Sequence, residues 1–143
     1  MVVAAVAFAG IFLATYLTLY KIGMIGQLAC GEGQCETVNT SRWAILLGFP
    51  VAAWGLAFYA TLFAAAMVGV SERFAEAPWI STALLGLTSW GVIFSLWLTY
   101  LELFVIHAIC RWCVVSASLV LIAFVASLLD WRQRALVQAA EAR

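Results

Sequence analysis

Four long runs of apolar residues constrain this chain more than anything else in it. They cover about 2–20, 44–68, 79–106 and 110–129, each near the roughly 20 residues that carry a helix across a bilayer. Only 10% of the 143 residues are charged, where a water-soluble domain carries about 25%. The runs therefore predict an all-α integral membrane protein, a single unit over 1–143. Seven basic residues balance seven acidic ones. With no basic cluster and no Gly-rich phosphate loop, nucleic acid is excluded as a partner class. The first run exceeds the usual h-region of a signal peptide, and no charged segment precedes it. It is expected to be a retained helix.

The connections set the topology. Residues 21–43 form the long polar segment, residues 69–78 a short hydrophilic turn closed by Pro78, and the link near "HAIC" is only a few residues. Short links make antiparallel neighbours, so the expected architecture is an up-down four-helix bundle. Four crossings also bring the 21–43 loop and the start of the fourth helix to the same membrane face. Both cysteine pairs, Cys30 and Cys35 in "CGEGQC" and Cys110 and Cys113 in "CRWC", therefore share one side. Lys21, Arg42 and Arg111 lie on that side and Arg73, Arg132, Arg134 and Arg143 on the other. By the positive-inside tendency this favours extracytoplasmic cysteines and a cytoplasmic 130–143 tail. An oxidising compartment suits paired cysteines too.

Cys110 and Cys113, at i and i+3 on a helix, lie roughly 60° apart, close enough to bridge. Unpaired N–H groups and the helix dipole favour a thiolate in a first helical turn, while low-dielectric surroundings oppose it. The stretch from Cys35 to Trp43 can extend roughly 27 Å, so the loop can lie across the bundle mouth and bring Cys35 near Cys110. A relay then becomes available, from a soluble protein thiol through loop pair and helix pair to a lipid-soluble acceptor. Two other readings of the four cysteines stay open: static disulfides, or a metal site with four cysteine ligands in a non-catalytic membrane protein.

Other side chains carry weaker signals. Ser41, Arg42 and Trp43 stand where the loop meets the second run, as an N-cap, a snorkelling cation and an interfacial aromatic. Pro50 is expected as a kink in the first turns of the second helix. Glu102 is an acid within an apolar run, roughly 12 Å along a helix from Cys110, and such a group is a functional candidate by default. His107 could act on the Cys110 thiol or be an interfacial histidine. Trp54, Trp90 and Trp97 could stack on a ring or serve as packing.

A cysteine pair after helix one, "CETVNTSRWAILLGFPVAAWG", and "YLELFVIHAICRWC" together resemble the vitamin K epoxide reductase family, in particular bacterial members without a fused thioredoxin-like domain. The likeness covers the four-helix core. It implies a multi-pass enzyme of the bacterial inner membrane whose catalytic cysteines face the periplasm. Such an enzyme moves electrons from a separate thioredoxin-like (DsbA-like) partner to a membrane quinone, supporting disulfide formation. In that reading Cys30 exchanges with the partner, Cys35 passes electrons to Cys110, and Cys113 faces the quinone, ubiquinone or menaquinone or a vitamin K-type naphthoquinone. Ser41, Trp43, Glu102, Cys113 and Ala117 would line the quinone pocket. Vertebrate members carry Tyr at the position of Ala117, which points here to a plain quinone rather than an epoxide. The other four-helix disulfide catalyst (DsbB type) has its C-x-x-C in the first periplasmic loop, whereas here it opens helix four.

Overall fold

The computed structural model describes residues 1–30, 34–74 and 77–143. Among them, four helices are long and apolar enough to cross a membrane, and they carry the fold. Helix α1 is Val2–Lys21, α3 is Val51–Val70, α4 is Pro78–Tyr100 and α5 is Arg111–Glu141; a short α2, Gln34–Thr40, lies between the first two. Packing runs α1 on α3, α3 on α4, α4 on α5 and α5 back on α1, which closes a ring of four. Pro78 occupies the first turn of α4, where a missing N–H costs no helical hydrogen bond.

Small residues let these helices approach. Ala7, Leu62 and Ala123 form one buried layer, and Ala14, Tyr59 and Val120 a second. The Tyr59 ring lies directly on Gly10, where any Cβ would overlap it, and Phe58 lies on Gly91. Close contact of this kind holds helices together in lipid, where apolar burial alone gives little drive. The outward side chains, such as Phe12, Ile93, Leu96 and Phe104, are themselves large and apolar, as a lipid-facing surface requires.

The second and fourth runs differ in their bounds from the sequence reading, and the third keeps its bounds but changes helix type in its last turns. The second apolar run does not begin as helix at 44. Arg42–Ala44 is a single 3-10 turn, and Ile45–Leu46 pairs antiparallel with Phe49–Pro50. Leu47 (φ 54°) and Gly48 (φ 85°) make the tight turn between them, the two positive φ values that a two-residue hairpin favours. A short apolar run reads alike as helix or strand, so periodicity could not separate them. Pro50 is therefore no kink; it stands immediately before α3 as its N-cap residue. The third run ends in a π-helical segment, Leu101–Ile106, with His107 left-handed at φ 55°. The fourth helix does not stop near 129 but continues to Glu141. Its polar end is rich in strong helix formers and carries an Asp130–Arg134 ion pair at 2.9 Å, one turn apart.

Candidate active site

All four cysteines meet at one end of the bundle. Cys30, Cys35 and Cys110 belong to a single buried cluster with Leu17, Leu28, Val38 and Ala108, and Cys113 packs against it. Cys30 and Cys35 are joined as a disulfide with Cα atoms 6.1 Å apart, while Cys110 and Cys113 are free thiols. Cys35 and Cys110 are fully buried. The parity argument and the reach of the loop are thus both met: α2 folds the loop down onto the start of α5.

The docking of α2 has identifiable hydrogen bonds. Lys21, at the end of α1, donates through Nζ to the Asn39 carbonyl at 2.6 Å, satisfying a carbonyl in the last turn of α2. The Asn39 side-chain amide donates to the Cys35 carbonyl at 2.9 Å and to the Cys110 sulfur at 3.8 Å. Gln34 Oε1 accepts from the Ile109 N–H at 3.4 Å. Tyr16 Oη accepts from the Ala29 N–H at 2.9 Å and its ring packs edge-on against Trp112.

Cys110 is not inside the first helical turn. It is the N-cap residue of α5, in extended conformation, and Cys113 lies three residues in. The Cys113 thiol beside it pulls the Cys110 thiol below its ordinary value, against burial and the Glu102 charge, which push it up.

Glu102 lies closer to the thiols than helical spacing predicts. A continuous helix would leave it roughly 12 Å from Cys110. Instead the π-helical turn and the left-handed His107 reverse the chain, and Glu102 Oε2 accepts the Cys110 N–H at 3.1 Å. The carboxylate also meets the Cys113 thiol. Glu102 is buried, and the hydrogen bonds that reach its carboxyl group come from the very segment that carries the cysteines.

From Cys113 and Glu102 a cavity of about 530 Å³ opens between the spanning helices. Ser41, Trp43, Glu102, Cys113 and Ala117 all line it. Its walls are otherwise mostly apolar, with Trp54 and Trp90 among them. Ser41 stands at the expected N-cap position, of the 3-10 turn Arg42–Ala44, but its side chain makes no cap hydrogen bond. Its hydroxyl turns back and donates to the Val38 carbonyl at 2.7 Å. Trp43 is half-buried, with the Arg42 guanidinium 5.1 Å over its ring. Trp54 is tied through Nε1 to the Leu46 carbonyl of the hairpin at 3.1 Å, whereas Trp97 packs on Phe94. His107 is exposed.

The sequence reading missed Asn39, Tyr59 and Ser116. Tyr59 and Ser116, whose hydroxyl oxygens lie 2.9 Å apart, join α3 to α5 in the cavity wall. For Asn39 a signal existed: it stands four residues after Cys35, one turn later on the same helical face. Among the described residues, no group of three or more His, Cys, Asp or Glu side chains is arranged to hold a metal ion. Residues 1–128 match the family model described as the vitamin K epoxide reductase family.

Proposed function

Since this chain belongs to the vitamin K epoxide reductase family, and is thereby a membrane thiol–disulfide oxidoreductase, we propose that it carries electrons from a separate thioredoxin-like protein to a membrane quinone. The observation that carries this reading is the junction of one buried cysteine cluster with one cavity. Cys113 belongs to both.

The relay runs by thiolate attack through mixed disulfides. Cys30, at the loop end of its pair, exchanges with the reduced partner. Cys35, on α2, exchanges with Cys110, which is buried in the same cluster. Cys113 faces the cavity. A quinone there takes two electrons and two protons, leaving Cys110 and Cys113 joined. The cavity suits such a ring on observed grounds. Its volume lies within the about 300–1,000 Å³ of small-molecule sites, its walls are largely apolar, and Cys113 and Glu102 both stand in its lining. Glu102, in contact with the Cys113 thiol, is placed to take that proton as the sulfur reacts and to return it to a reduced oxygen. Ser41 and Trp43 close the cavity on the α2 side, and Ala117 leaves room where a larger side chain would intrude.

The sidedness belongs to the same proposal. The cysteine end faces the periplasm of the bacterial inner membrane, and oxidised partner returns there to form disulfides in secreted proteins. The test follows quinone absorbance on adding purified protein to a reduced thioredoxin-like partner. Loss of the quinone signal that depends on Cys110 and Cys113 is expected. In Cys30→Ala, turnover driven by the partner falls by at least about tenfold, while turnover driven by a small membrane-permeant dithiol persists. Absence of reduction with both ubiquinone and menaquinone overturns the reading.

A further inference from the structure

We infer that Asn39 is a positioning residue of the relay, holding α2 on the helix pair and stabilising the Cys110 sulfur when it carries the negative charge. The inference rests on the relay proposed above and adds to it a side chain outside the cysteines.

The two amide hydrogens of Asn39 are both directed. One goes to the Cys35 carbonyl at 2.9 Å, the other to the Cys110 sulfur at 3.8 Å, a normal reach for a donor to the larger sulfur atom. A third tether, Lys21 Nζ to the Asn39 backbone carbonyl at 2.6 Å, fixes the residue from α1. Asn39 is itself buried. A single side chain therefore touches both partners of the exchange, the backbone of one cysteine and the reacting atom of the other. Hydrogen bonds from fixed donors to a buried anion are stronger than those between neutral groups.

The step concerned is the release of Cys110. The Cys30 thiolate attacks the Cys35 sulfur of a Cys35–Cys110 bond. The Cys30–Cys35 bond forms, the Cys35–Cys110 bond breaks, and its electron pair leaves on Cys110, where the Asn39 N–H meets it. No outside oxidant or reductant enters. The observed arrangement, a closed Cys30–Cys35 pair with Cys110 and Cys113 free, is the product of this step. A leaving thiol departs faster as its basicity falls, so a donor placed there favours this direction.

The groups facing Cys110 are few and of mixed sign. Glu102 from the π-helical segment and Cys113 from α5 lie against it, Lys21 stands behind Asn39, and Tyr16 and Tyr20 of α1 pack on the cluster. Asn39→Asp is the discriminating change, because it keeps size and shape but replaces the donor with a carboxylate. The measurement is the pH titration of thiolate ultraviolet absorbance in the Cys113→Ser background, with the loop disulfide closed and a Cys110→Ser, Cys113→Ser protein as blank. It needs no reagent to reach the buried sulfur.

The midpoint for Cys110 is expected to rise by about one unit or more in Asn39→Asp, and by less in Asn39→Ala, which removes the donor without adding charge. With Cys113 present, quinone turnover of Asn39→Asp falls roughly tenfold at neutral pH and recovers as pH rises, a recovery that a merely loosened helix would not show. If Asn39→Asp does not fold, the Asn39→Ala midpoint decides. An unmoved midpoint with full quinone turnover overturns the assignment of Asn39 and leaves the relay standing. A raised midpoint in a protein whose wild type reduces no quinone overturns the relay and keeps Asn39 as the partner of Cys110.

Discussion

Glu102 and Asp130 both stand within the spanning segments, and they are held in opposite ways. Asp130, near the far end of α5, accepts the Ser81 hydroxyl at 2.5 Å and the Arg134 guanidinium at 2.9 Å, and its side chain is about half exposed (47%). Glu102 is 6% exposed, and it meets the Cys110 N–H and the Cys113 thiol. One acid is neutralised by a cation one turn away and joins α4 to α5. The other rests on a backbone N–H and on a thiol, the one of its partners that can change charge. The two acids differ in burial as well as in partners, and it is the partners that support the chemical part proposed for Glu102.

That contrast can be broken experimentally. The largest effect is expected from Cys113→Ala, which removes the thiol that Glu102 contacts: quinone reduction should fall to the uncatalysed background. Persistent turnover in that variant would remove the reason for assigning Glu102 a chemical part. Next comes Glu102→Gln, whose side-chain carbonyl still accepts the Cys110 N–H but cannot hold a transferred proton. Quinone turnover driven by a small dithiol should drop by about 10²-fold, with the closed Cys30–Cys35 pair unaffected. The smallest effect belongs to Asp130→Asn. Its ion pair is only partly buried, so thermal unfolding should shift by no more than about 1 kcal/mol equivalent and turnover should stay within about twofold. Equal losses of turnover in Glu102→Gln and Asp130→Asn would erase the distinction.

The cavity residues show how far pattern reading reaches. Ser41 and Trp43 line one cavity with Cys113 and Ala117, residues that only the family resemblance, and no pattern of spacing, had grouped. Asn39 was legible only through its spacing from Cys35, and nothing in a linear pattern says that its amide would meet a sulfur on another helix. Tyr59 was hidden for a different reason. Inside an apolar run it reads as packing, and only its contact with Ser116 across the bundle gives its hydroxyl a place.

By itself the sequence determined the spanning helices, the ring they can form and the shared side of the four cysteines. Hydrophobic length and the parity of crossings are local or topological quantities, and both are written in residue order. What only the tertiary structure decided is how the chain turns at the cysteine end. A proline and a positive-φ turn divert Ile45–Pro50 from helix into a hairpin, and a π-helical turn with a left-handed His107 folds the Cys110 amide back onto Glu102. These outcomes depend on which buried polar groups find partners once the helices have packed. That satisfaction is settled among side chains distant in sequence, and it is what sets the Glu102 carboxylate against the two helix thiols.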